Sequence, residues 1–313
     1  MYHTPSSESN VSQPKQKKLA RFCEVISFRL RQDLTDRTTY KGSVTFCFAH
    51  YNAPHFLEVS LDAVRRHYHN ERIIVTDASS VWPEFCTVKS VCSRYGAELH
   101  PLLNYHRHTG LLNYMFRKAA TDIVVFLDQD CVLLNRLDVL LELAASGTTL
   151  IGPSDEMCLT HQNLCSVYPE VANRCFRVAP EFIHASLMVV NAARVRAWSK
   201  HRPFRWRNEW GTHPLERYYG LTELVRRNQP GEIISLNSYH TGYGLGTVYV
   251  HAGHPIAYHN WYSGQVYGQS GKLDKVFDAD WLRAESKRFL NDYWNGKVDF
   301  GLTLESRTNS SSL

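Results

Sequence analysis

Two carboxylates one residue apart, Asp128 and Asp130, close the apolar run Ile123-Val124-Val125-Phe126-Leu127. Neighbouring carboxylates repel unless a cation or a proton lies between them, so the spacing points to a hard divalent metal, Mn2+ or Mg2+. Residues i and i+2 of an extended chain point the same way, which lets both aspartates face one cleft while Gln129 turns aside. The bland alternative for such a triplet is a strand-end aspartate capping the next turn beside a solvated neighbour.

The elements that must hold this pair can be read around it. The run before Asp128 is β-branched and does not alternate, as expected of a central parallel strand covered on both faces. Upstream, strands are expected over 44–49, 72–76 and 97–102, and helices over 54–67, 83–95 and 110–120. Alternation of this kind predicts an α/β fold with a doubly wound parallel sheet, whose ligands bind beyond the carboxyl ends of the strands. Three strand ends carry suitable polar residues: Ala49-His50-Tyr51-Asn52, Thr76-Asp77-Ala78, and Asp128-Gln129-Asp130. In the second half, 192–198 reads as a helix, with another helix expected after Pro214.

Composition bounds the rest. A chain of 313 residues with 43% hydrophobic residues can bury an ample core. A formal charge of +5 falls short of the basic stripe of a nucleic-acid binder. No apolar run approaches the roughly 20 residues of a spanning helix, and no signal-peptide core is visible, so a soluble, cytoplasmic chain is expected. The eight cysteines form no C-x-x-C pair and read as buried thiols of a reducing compartment, with a bridge among Cys158, Cys165 and Cys175 left open. Residues 1–14 and 306–313 read as disordered tails. Residues 15–42 hold a basic amphipathic helix over 15–34 and a linker; that helix either packs on the fold or makes a peripheral contact with an anionic membrane.

With these residues in view, the chain over about 43–265 resembles nucleotide-sugar-dependent glycosyltransferases of the GT-A fold, family 2-like. The family's opening strand and polar turn are similar to Val44–Tyr51, its second acidic strand end to Asp77, and its helix followed by Asp-x-Asp to 110–130. The resemblance implies a Rossmann-like GT-A domain with a nucleotide-sugar half at 43–150, an acceptor half at 151–272 and a C-terminal helical extension at 273–305. It further implies a mixed, mostly parallel sheet with a strand at 182–191 under the acceptor cleft. By the same resemblance Ala49, His50 and Tyr51 cradle the nucleoside, Asp77 meets the base, Asp128 lies near the ribose or metal, and Gln129 belongs to the nucleotide-binding set. Asp77 has a second reading as a helix N-cap. Asp128, Asp130 and His259 would hold Mn2+ or Mg2+ against the diphosphate, with a UDP-sugar as the implied donor. Glu216, then Glu209, would be the catalytic base; the family's usual Glu-Asp pair is absent there, so inverting chemistry stays open. Residues 264–271 are either a closing lid or a plain connection. The acceptor (glycan, lipid, protein or small molecule) is not specified.

Two other classes use the same features. A haloacid-dehalogenase-type phosphatase also ends a buried strand in Asp-x-Asp, but no later Asp-Asp or Gly-Asp pair follows here. A non-catalytic sugar-nucleotide-binding scaffold would share the fold without a base.

Overall fold

A computed structural model describes residues 43–78, 82–102, 108–154, 182–199, 203–204, 219–241, 243–260 and 279–300, all within the compact unit Tyr40–Leu313. The terminal tails, the 15–34 helix, Glu209, Glu216 and the 264–271 segment lie outside the described residues.

The first half alternates as expected. Strand β1 (Val44–His50) leads to α1 (Pro54–His67), β2 (Arg72–Asp77), α2 (Trp82–Arg94), β3 (Glu98–Pro101), α3 (His108–Lys118) and β4 (Ile123–Asp128). Pro54 opens α1, where its missing N–H costs nothing, and Arg65 and Arg66 stand in its last turn, where positive charge suits the helix dipole. Next come β5 (Cys131–Leu133), α4 (Asp138–Ser146), β6 (Leu150–Pro153), β7 (Leu187–Asn191) and α5 (Ala192–Trp198). Asn191 caps α5 by accepting the Arg194 amide at 3.1 Å. The last described elements are α6 (Tyr219–Asn228), β8 (Ile233–His240), β9 (Thr247–His251), β10 (His254–His259) and α7 (Ala279–Trp294).

These strands form one ten-stranded mixed sheet in the order β3-β2-β1-β4-β7-β6-β8-β9-β10-β5. Pairing is parallel through β3-β2-β1-β4 and between β6 and β8. It is antiparallel at β4-β7, β7-β6, β8-β9, β9-β10 and β10-β5. Only β7, β9 and β5 therefore run against the common direction. Successive side chains on the central strands alternate between two cores, as period-2 geometry requires. Phe46, Phe48, Val125 and Leu127 join the helices α1, α2, α4 and α7 on one face. Cys47, Ala49, Val124 and Phe126 join α3, α5 and α6 on the other. This is the doubly wound arrangement.

Two expectations need correction. The strand read over 182–191 is confined to Leu187–Asn191; before it, Ile183 makes an isolated bridge to Ser154, and Ala185 and Ser186 turn. The cause is local, since His184 donates its amide to the Pro153 carbonyl and its own ring accepts from the Ser186 amide. Cys86 is exposed on α2, whereas Cys47, Cys92 and Cys131 are buried as expected; these four carry thiols and no disulfide.

One connection matters for the site. Gln129 and Asp130 alone separate β4 from β5, yet these strands stand fourth and tenth in the sheet. The sheet must therefore curl back until its last strand meets the end of its central one. β5 lies against α1, and the Asn260 amide, just past β10, bonds the Asp130 carbonyl at 3.0 Å.

Candidate metal and nucleotide site

Register builds the rim. Parallel pairing sets His50 beside Asp77 and Ala49 beside Asp128, so the three polar strand ends read from the sequence are neighbours at one edge. His50 and Asp77 are fully buried and meet through Nδ1 and Oδ1 at 2.8 Å. The His50 Nε2 accepts the Ala53 amide at 3.2 Å, which assigns the ring proton to Nδ1, facing the carboxylate. Asp77 thus braces the β1 turn.

Gln129 also braces that turn. Its Oε1 accepts the Tyr51 amide at 2.5 Å and its Nε2 donates to the Tyr51 carbonyl at 3.0 Å. Its own carbonyl accepts from the buried Ser60 hydroxyl at 2.8 Å. With the backbone clamped on both sides, the Tyr51 ring stands 41% exposed at the mouth of the cleft, while Asn52 takes a left-handed conformation at φ 52°. The sequence reading counted Gln129 in the nucleotide-binding set; its amide is engaged with the protein backbone.

The aspartates meet an imidazole from the other side of the curl. His259, the last residue of β10, pairs in register with Cys131 of β5, immediately after Asp130. Its Nε2 lies 3.3 Å from Asp130 Oδ1 and 3.9 Å from Asp128 Oδ2. One ligand atom from each of Asp128, Asp130 and His259 falls within 4.8 Å of the others. His259 and Asp130 are buried, and Asp128 is partly exposed.

Three residues in this cluster carried no role in the sequence reading. His108, first in α3, places Nε2 3.2 Å from Asp128 Oδ1. His184 lies beside His259 with ring centroids 6.0 Å apart. Tyr249, on β9, bonds His259 Nδ1. Burial alone would raise the Asp128 carboxyl, but the imidazoles of His108, His259 and His184 outweigh it and bring the group down to about 2. Burial pushes the His184 imidazole down to about 3, against the pull of Asp128. At neutral pH the site therefore holds an ionised Asp128 beside a neutral His184. A repeated His-x-His at 106–108 was the only sequence signal for the first of these; the others depend on pairing between distant strands.

No protein-family model matches the sequence, and no curated protein matches it by sequence. Solved structures do resemble it. A mannosyltransferase from Pyrobaculum calidifontis, solved with GDP-Man and Mn2+, is 14% identical over 70% of this chain and 64% of its own, with a TM-score of 0.44. This chain thus spans just under two thirds of that protein. Glucosyl-3-phosphoglycerate synthase from Mycobacterium tuberculosis, solved with Mn2+, UDP and glucosyl-3-phosphoglycerate, is 14% identical over 84% and 81% of the two chains, TM-score 0.42. The glycosyltransferase GlyE of Streptococcus pneumoniae is 15% identical over 63% and 45%, TM-score 0.38. At these distances the likeness assigns no activity, and the function is argued from the chain's own residues.

Proposed function

We propose that this chain is a metal-dependent glycosyltransferase of the GT-A type, moving a sugar from a nucleoside diphosphate sugar, UDP-linked in the first instance, to an acceptor nucleophile. The observation that carries the reading is the convergence of Asp128, Asp130 and His259 at the carboxyl rim of the sheet. Their chemistry fits a divalent ion: carboxylate oxygens with one imidazole suit Mn2+, and the imidazole nitrogen already stands 3.3 and 3.9 Å from the two carboxylates. A cation held there supplies Lewis-acid neutralisation of the negative charge left on the departing nucleoside diphosphate. Around it, the partly exposed Asp128 stands where ribose or metal would lie, and the clamped Tyr51 offers a ring face beside the nucleoside. Asp77 and His50 support that turn from below. Glu216, then Glu209, remain the proposed bases.

The phosphatase reading is not favoured. Its metal site needs a later carboxylate, whereas the third group gathered here among the described residues is an imidazole. The scaffold reading differs only in turnover.

A thermal-shift panel of nucleoside diphosphates and nucleotide sugars, with and without Mn2+, tests the proposal. A ligand that binds only the native state at 100 times its Kd stabilises by about 2.7 kcal/mol. A rise of several degrees that needs both Mn2+ and one nucleotide supports the transferase and identifies the base. No shift with any of them would sink the reading, and donor binding without transfer to any acceptor would favour the scaffold.

A further inference from the structure

Beyond the ligand atoms lies a chain of two hydroxyls. His259 Nδ1 is 3.0 Å from the Tyr249 hydroxyl, and that oxygen is 2.7 Å from Ser186 Oγ. All three side chains are buried and come from different parts of the fold: β10, β9 and the turn before β7. Ser186 is also tied to the site through its backbone. Its carbonyl accepts the Asp128 amide at 3.1 Å, and its amide donates to His184 Nδ1 at 3.0 Å.

The direction of the chain decides what His259 can do. Nε2, the atom facing both aspartates, can ligate a cation only as a lone pair, so a neutral ring must carry its proton on Nδ1. An acceptor at Nδ1 stabilises that tautomer. The Tyr249 oxygen can accept Nδ1–H while its own proton points to Ser186 Oγ, and hydroxyls at both stations allow that sense to be adopted without moving a heavy atom.

We propose that Tyr249 and Ser186 form a positioning chain that accepts the His259 Nδ1–H hydrogen bond, keeps the proton on Nδ1 and thereby presents the Nε2 lone pair to a divalent cation. This rests on the metal site proposed above. The side-chain hydroxyls reach the site through His259 Nδ1.

The test uses the full chain with selectively 15N-labelled histidine, the His259 signals being assigned by difference against His259→Gln. In the wild type with a diamagnetic divalent ion, Mg2+ or Zn2+, the Nδ1–H, Nε2-ligated pattern is expected. Tyr249→Phe should lose that pattern and weaken Mn2+ binding, read by paramagnetic resonance titration, about tenfold, the lower end of what second-layer partners of metal-bound histidines contribute. Ser186→Ala keeps both backbone contacts and should weaken binding less, with Ser186→Thr restoring it. Unchanged tautomer and Mn2+ affinity in Tyr249→Phe, with His259→Gln still defective, would overturn this positioning role and leave the metal site standing. Absence of divalent-ion binding in the wild type would instead remove the metal site. The positioning role would then be judged on the metal-free tautomer, and a wild-type signal unaltered by Tyr249→Phe would overturn it too.

Discussion

The two halves of the candidate site are built by opposite devices. Asp128 stands at the end of a parallel run, β3-β2-β1-β4, where each strand is joined to the next by a helix and the rim positions follow from one register. His259 arrives on an antiparallel hairpin, β9-β10, sealed by β5 and backed by the aromatic side chains Tyr243, Tyr258 and Phe289. The first half is local and periodic, so its chemistry is fixed by short segments. The second is set by long-range pairing, and its precision depends on how firmly the hairpin and α7 are packed. Asp130 is the joint between them, with its backbone bonded to Asn260 and its carboxylate facing His259.

The strongest way to break that comparison is at the joint. Asp130→Ala removes one of two carboxylates that would neutralise a cation, and charge stabilisation worth several kcal/mol implies a loss of transfer activity of about a thousandfold or more. Relief of carboxylate repulsion should leave the melting temperature nearly unchanged. Mn2+ titration and a transfer assay check both; retained metal-dependent donor binding would remove Asp130 from the site.

Phe289→Ala attacks the packing behind His259. Phe289 is fully buried, stacks on Tyr258 at 4.2 Å between centroids and meets Tyr243 edge-on at 5.5 Å. Truncating such a ring costs about 3–5 kcal/mol. Urea denaturation should show that loss, and Mn2+ affinity should fall in the variant under conditions where it is folded. Undiminished affinity would mean that β10 holds His259 without help from α7.

A smaller effect is expected on the aspartate side. Gln129→Leu keeps the bulk but removes both bonds to the Tyr51 backbone, a loss of about 1–3 kcal/mol if each is worth a typical net hydrogen bond. Nucleotide affinity measured by calorimetry should weaken about tenfold, corresponding to 1.4 kcal/mol, while Mn2+ affinity is unchanged. Equal weakening of both would show that the Tyr51 turn and the metal site are not separable.

The same division explains what could be read from the chain. Helix α1 occurs over the residues expected, because Pro54 and an amphipathic stripe mark it locally. β4 follows from its apolar run, while Asp130 sits in the two-residue turn after it, beyond the reach of period-2 geometry. The hairpin that delivers His259 left no comparable trace. Its two-residue loop is Ala252-Gly253, both at positive φ, where alanine replaces the Asn or Asp that usually announces such a turn. Pro255 sits within β10 beside a register shift, and proline normally argues against a strand. His259 was singled out by resemblance and by its place after an apolar stretch, while Tyr249 and Ser186, 63 residues apart, are joined only by the folded sheet. Alternation turned Gln129 aside but could not say which backbone groups it meets, here the amide and carbonyl of Tyr51.

The smallest predicted effect separates the site's histidines from one outside it. His67 closes α1; burial, reinforced by the Arg136 and Arg66 guanidiniums, pushes its imidazole down to about 4. Its ordinary value is 6.5, so between these values the unfolded chain binds the extra proton and the folded chain does not. The stability that His67 contributes is therefore complete above pH 6.5 and is lost as the pH falls toward about 4. His184, pushed down to about 3 by its burial, has the same sign and accounts for a second share of the decline. Glu98 and Glu232, whose carboxyls are held low by Arg72 and Arg194, lose their contribution only at more acid pH. Denaturation midpoints between pH 7 and pH 5 should therefore fall in the wild type and fall less steeply in His67→Gln, with Mn2+ affinity at pH 7 the same in both. A slope unaltered by His67→Gln would assign the acid sensitivity to the other imidazoles that burial holds low, His184 and His251.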